Sequence, residues 1–148
     1  MSTDAISMVK MCVGAEKVSD LYTRQNKMLE NFQDSMTEAP IAHITRMRPK
    51  KEVQLLNGGS LYWVFKGHIL ARQSILSLND IYFEDNVKRC EIKLDRRIML
   101  TESKPKKPFQ GWRYLENNEC PRDLMLFSEG MDDLPKSLIV GLGQLGVL

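Results

Sequence analysis

Leu61-Tyr62-Trp63-Val64-Phe65-Lys66-Gly67-His68-Ile69-Leu70 is the segment from which the architecture follows. Successive side chains on a strand point to opposite faces. Leu61, Trp63, Phe65, Gly67, Ile69 and Ala71 are therefore expected on one face, and Tyr62, Val64, Lys66, His68, Leu70 and Arg72 on the other. The first face is apolar and the second mixed. Asn57-Gly58-Gly59-Ser60, just before, is a turn signal, because glycine adopts backbone angles that other residues resist. Gly67 inside the run marks a bulge, a bend or a close backbone approach. Downstream, Ile75, Leu76 and Leu78 continue the extended pattern and Asp85-Asn86 turns the chain. Val87 to Leu94 then alternates: Cys90, Ile92 and Leu94 face one way, Arg89, Glu91 and Lys93 the other. That is the signature of a half-buried antiparallel strand.

Upstream, Ile6 to Val13 is apolar on both faces and reads as a buried strand ended by Gly14. Ser19 is expected to cap a helix whose stripe runs Val18, Leu21, Tyr22, Gln25, Met28, Leu29, Phe32 and Met36. Ile41 to Arg48 is strand-like up to Pro49, and Lys51 to Leu56 suits a turn or two of helix. Beyond Leu94, Ile98 to Leu100 extends the sheet, Ser103 to Pro108 is a basic loop, and Phe109 to Leu115 is an aromatic strand or turn. Pro135 to Leu148 is expected to form a short terminal helix. The pattern predicts an α+β fold: a small, partly open, mainly antiparallel β-barrel with one N-terminal amphipathic helix and a short C-terminal helix. A single domain over 1–148 is expected, its core at about 5–116 and an acidic extension at 117–148.

The 148 residues are 43% hydrophobic and 27% charged, which excludes wholesale disorder and fibrous classes. No apolar run reaches the ~18–20 residues of a membrane span, and Met1 to Val9 lacks the basic region followed by an apolar stretch that marks a secretion signal, so none is expected. Cys12, Cys90 and Cys120 are odd in number and widely spaced, so a disulfide framework is not expected and a cytoplasmic location is. Gly141-Leu142-Gly143-Gln144-Leu145-Gly146 matches a dinucleotide fingerprint, yet only Val147 and Leu148 follow, too few for the helix that chemistry requires. His43 and His68 do not form a close ligand pair, so neither a metal nor another cofactor is expected.

The net charge of +2 conceals an asymmetry: residues 43–113 hold fifteen Lys and Arg against seven Asp and Glu, a balance of +8 that the flanks offset. Aromatic residues are interleaved with these cations. Nucleic-acid readers need this mixture, cations for phosphates and flat faces for unstacked bases. Arg46, Arg48, Lys50, Lys106 and Lys107 are the expected phosphate contacts, Tyr62 and Trp112 the stacking rings, and Arg72, Gln73, Gln110 and Arg113 the readers of base edges. The competing reading places the charges in solvated loops and the tryptophans, Trp63 above all, in the core. Two other functions use the same chain differently. A small hydrolase or nucleotide-processing enzyme would take Lys66, His68 or Glu91 for proton transfer. A protein-interaction adaptor would use the acidic ends and the glycine-rich tail.

His43-Ile44-Thr45-Arg46-Met47-Arg48-Pro49-Lys50, Gly58-Gly59-Ser60-Leu61-Tyr62-Trp63, Ala71-Arg72-Gln73 and Pro108-Phe109-Gln110-Gly111-Trp112-Arg113-Tyr114 resemble an alphaproteobacterial family that carries a domain-of-unknown-function label. That resemblance covers nearly the whole chain and implies no activity. More distantly, the order of an opening strand, a helix start at Val18, and a Gly59-Ser60 turn before an aromatic strand is similar to PUA-like domains of the EVE and ASCH branches. The likeness implies a small barrel with a cleft for RNA or a modified base, and a non-enzymatic binding module as the leading function.

Overall fold

The computed structural model describes residues 5–30 and 41–128. In chain order the elements are β1 (Ser7–Met11), α1 (Val18–Glu30), β2 (Ile41–Thr45), α2 (Glu52–Leu56), β3 (Ser60–Phe65), β4 (His68–Tyr82), β5 (Lys88–Leu94), β6 (Met99–Pro105), β7 (Trp112–Leu115), a 3-10 turn (Asn117–Glu119) and β8 (Asp123–Leu126). The described strands form one open, mixed sheet in the order β2-β5-β4-β3-β1-β7, with β6 pairing β4 and β8. β1 and β3 are the parallel pair, and the other pairings are antiparallel. Two helices beside a mostly antiparallel sheet fit the expected α+β class. The expected C-terminal helix lies outside the described residues.

β4 organises the sheet. It is 15 residues long, and β5 then β6 follow each other along one of its edges, from Tyr82↔Lys88 to Ile75↔Leu94 and on from Arg72↔Met99 to His68↔Pro105. Register breaks at Ile75/Ser77 and Ile69/Ala71 interrupt this long hairpin, and such irregularities add local twist. β8 pairs β6 through Met99↔Leu126 and Leu100↔Met125, so the acidic segment after Leu115 supplies a strand of the sheet.

The deciding segment is a hairpin rather than one strand. Lys66 and Gly67 both take positive φ, 48° and 83°, between the paired residues Phe65 and His68. Two consecutive left-handed residues make the tight turn whose twist matches paired strands. Together with a register break at Trp63/Val64, the reversal moves Ile69 off the expected face. Leu61, Trp63, Phe65 and Ala71 pack in the main core with Met8, Leu21, Ile92 and Leu94, whereas Tyr62, Val64 and Ile69 form a second cluster with Val9 and Leu115. β3 is thus buried on both faces because β1 and β4 flank it and apolar layers cover each side.

Three local details differ from expectation, the first being that the basic loop expected from Ser103 is strand β6 as far as Pro105. Ser19 lies inside α1 and is buried; the helix start is held instead by Asp20, whose Oδ2 accepts from the backbone N–H of Glu16 at 2.9 Å and Lys17 at 3.2 Å. Met28, expected in the core, is 41% exposed, while Val18, Leu21 and Gln25 are buried. Gly59 packs where a side chain cannot go: a Cβ there would overlap Ile6 O and stand 2.6 Å from Leu55 O. The glycine turn therefore lets α2 and the start of β1 close together.

Candidate nucleic-acid interface

β7 ends the sheet, and no further described strand pairs its outer edge. Gly111, at φ 70°, turns the chain into it. Its pleat sends Trp112 and Tyr114 to one face and Arg113 and Leu115 to the other. On the first face Trp112 Nε1 donates to Met47 O at 2.8 Å, and Tyr114 Oη accepts from the backbone N–H of Lys50 at 2.9 Å and Lys51 at 3.1 Å. The two rings meet edge to face at 4.8 Å, and Lys51 Nζ lies 5.1 Å from the Tyr114 centroid. Three bonds to backbone thus tie residues 47–51, a run rich in cations, to an aromatic pair.

On the second face Phe109 is flanked by the Arg113 guanidinium at 5.5 Å and Lys106 Nζ at 5.9 Å. Each cation gains from the ring quadrupole, by about 0.5–1 kcal/mol where water has access. Lys106 is positioned by its own N–H, which donates to Gly67 O at 2.8 Å. Lys107 and Gln110 are exposed beside it.

Of the residues expected from sequence, Lys50, Trp112 and Arg113 lie on β7 or on the segment bonded to it, Lys106 meets Phe109 beside Arg113, and Arg46, Lys107 and Gln110 are exposed close by in the chain. Those tied to β7 occupy both of its faces and not one hollow, because adjacent residues of a strand cannot point the same way. Trp112 is half-buried, with its indole N–H committed to Met47. The other four are bound up inside the fold. Arg48 bridges Asp80 and Glu52, each at 2.7 Å, and clamps α2 to β4. Arg72 makes a bidentate pair with Asp123 at 2.7 Å and donates to Ser60 Oγ at 2.9 Å. Tyr62 is 6% exposed in the second cluster, where burial, and then the Cys120 thiol, push its phenol well above its ordinary range.

Gln73 is fully buried and saturated. It exchanges two 2.8 Å bonds with Gln25, accepts from Trp63 Nε1 at 3.0 Å and donates to Asp95 O at 2.9 Å. An edge reader needs free groups, and this amide has spent its own on the core.

Ion pairing separates the cations expected at the interface from several others, although Lys10, Lys17, Arg24, Lys27, Lys88, Arg96, Lys104 and Arg122 likewise form no ion pair among the described residues. Lys66, Arg72, Arg89, Lys93 and Arg97 each stand within ion-pair distance of a carboxylate, as Arg48 does. Arg46, Lys50, Lys51, Lys106, Lys107 and Arg113 form no ion pair among the described residues. Three of these six belong to the 46–51 run and three to the Phe109 side.

The residues proposed for proton transfer do not converge. Lys66 pairs with Glu16 at 3.3 Å at the β3–β4 turn, where His68 Nδ1 also meets Lys66 O at 3.3 Å; Glu91 lies on β5, opposite Asn79 and Ile44. Among the described residues no three His, Cys, Asp or Glu side chains group as metal ligands, and no helix is long and apolar enough to cross a membrane. Burial raises the Cys12 thiol to about 11 and pushes up that of Cys90, so both are packed, unreactive thiols.

Two features had no signal in the sequence. One is His43, whose Nε2 is buried without a hydrogen-bond partner, its ring edge-on to Trp63 at 5.2 Å. The other is a cleft of about 580 Å³ lined by Tyr22, Gln25, Asn26, Leu29, Arg96 and Phe127, among others. Its walls come from distant parts of the chain, so no local pattern announces it. Compared with curated proteins and with solved structures, the chain finds no match. A family profile described as "Protein of unknown function (DUF1489)" does match, over residues 8–148. The chain therefore belongs to the DUF1489 family.

Proposed function

We propose that the protein is a non-enzymatic module that binds single-stranded RNA, or a strand carrying a modified base, along the edge strand β7. The observation that carries this reading is that the cation-rich run 46–51, bonded to Trp112 and Tyr114, and the cations on and beside Phe109 hold six Lys and Arg without carboxylate partners among the described residues. A cation already paired must give up its carboxylate to meet a phosphate, whereas an unpaired one is free to neutralise the phosphate and release the counterions condensed on the strand. Trp112, Tyr114 and Phe109 supply flat faces beside those charges, and Gln110 an exposed amide. In this reading the open sheet is a partly open barrel of the PUA-like kind and the protein works in the cytoplasm.

The test is fluorescence anisotropy of a labelled single-stranded RNA across a salt series. Six phosphate contacts at ~0.7 per contact predict a slope of log affinity on log salt near −4, or a ~300-fold loss between about 50 and 200 mM. The Lys106→Gln/Arg113→Gln and Lys50→Gln/Lys51→Gln pairs should each flatten the slope by ~1.4. Absence of binding, or binding indifferent to salt, overturns the proposal.

A further inference from the structure

We infer that the cleft between α1, β2 and the start of β6 binds a small molecule that combines a planar ring with one anionic group, independently of β7. Its volume of about 580 Å³ lies within the range of ligand pockets. Tyr22 and Phe127 form an aromatic wall, their ring centroids 5.2 Å apart and tilted by 60°. Ile41, Leu29 and Ile98 extend the apolar lining. A flat ring buries most area against such a surface and gains from the offset or edge geometry that aromatic pairs prefer.

The floor is rigid. Gln25 faces the cleft and is held from behind by its two-way amide bond with Gln73, which in turn is fixed by Trp63 and the Asp95 carbonyl. A floor that does not reorganise costs a ligand little on entry. One position further along α1, the side chain of the half-buried Asn26 makes no hydrogen bond among the described residues, leaving an amide donor and acceptor for the edge of a heteroaromatic ring.

Charge selects the anionic group. Arg96 and Arg97 stand at the cleft with a single carboxylate, Asp95. That carboxylate is occupied by Arg97, which donates from Nε at 3.1 Å and Nη2 at 2.9 Å. Arg96 makes no ion pair among the described residues, so its guanidinium supplies the unbalanced positive charge. A guanidinium accepts carboxylate and phosphate in the same forked geometry. One carboxylate and no His or Cys in the lining argue against a metal.

The experiment titrates the full chain, by calorimetry, with two ligand sets. One contains nucleoside 5′-monophosphates, with the parent nucleosides and ribose 5-phosphate as controls. The other contains aromatic carboxylates such as indole-3-acetate, with indole and acetate as controls. Binding by either set supports the inference and identifies the source of the anion. Loss of the anionic group, or of the ring, should weaken binding at least ~10-fold, the cost of ~1.4 kcal/mol. Arg96→Gln should reduce affinity for the anion about tenfold and leave that for the neutral analogue unchanged; Tyr22→Leu should reduce both. Lys106→Gln/Arg113→Gln should change neither, which separates this site from the β7 reading. The inference is overturned if neither set binds, or if binding ignores both Arg96→Gln and Tyr22→Leu.

Discussion

Acidification should destabilise this protein in a window governed by His43. The residue sits on β2 opposite Ile92, edge-on to Trp63, with Nε2 buried and unpartnered. Burial foremost, then the positive charges of Lys10 and Arg24, lower its pKa from 6.5 to about 4. Between those values the unfolded chain takes up a proton that the folded chain refuses, so stability falls as pH falls. The contribution is complete above pH 6.5 and is lost progressively toward pH 4. For that shift, the linkage relation gives a loss of about 2.5 kcal/mol between about pH 7.5 and pH 4.5.

His43→Leu removes the titrating group and its orphaned nitrogen, so at about pH 7.5 the variant should be no less stable than the parent, and by up to ~1 kcal/mol more stable. Urea unfolding followed by tryptophan fluorescence, at several pH values in that window, measures both chains. The difference between them cancels the carboxylates they share, among them Asp85 and Asp95, which are held below their ordinary range chiefly by Arg89 and Arg97. The expected outcome is a wild-type curve that falls about 2.5 kcal/mol further than the variant's. Parallel curves, or an NMR titration placing His43 near 6.5, would refute the reasoning.

Gly59→Ala should cost ~3 kcal/mol or more, since its Cβ would meet the backbone of Ile6 and Leu55, whereas Gly67→Ala, with nothing within 4 Å, should cost only ~1 kcal/mol for its left-handed φ; chemical denaturation ranks them. Gln73→Leu leaves the Gln25 amide and the Trp63 indole N–H without their partner, so a loss of ~3 kcal/mol is expected in the same assay, with the RNA salt slope unchanged. Trp112→Phe deletes the bond to Met47 O, and should cost ~1 kcal/mol while weakening RNA affinity through the loosened 47–51 run, measured by anisotropy.

Where structure follows from neighbours in the chain, the sequence pattern specifies it directly. Cys90, Ile92 and Leu94 alternate with Arg89, Glu91 and Lys93, and the first three are indeed completely buried. The doubly apolar run after Ile6 became a strand flanked on both sides, and the glycine pair before Leu61 became the turn that frames β3. Pattern and structure part where one residue changes a phase. Gly67 marks a bulge, a bend or a close approach, but not a full reversal, because Lys66 is an unusual residue for the second positive φ that the tight turn requires. The turn puts Ile69 on the other face, and the register break beyond it returns Ala71 to the face of Trp63.

The candidate interface divided along a different line. Residue types suited to phosphates and bases were visible in the chain, but their availability was not. Arg72 is neutralised by Asp123 and Gln73 is saturated by Gln25, partners 51 and 48 positions away. Periodicity, turns and caps arise from bonds spanning a few residues, so the amino-acid order specifies them almost directly. Whether a charge is free, an amide is spent or two rings share a wall depends on separation in space, which the order alone leaves open until the strands have paired.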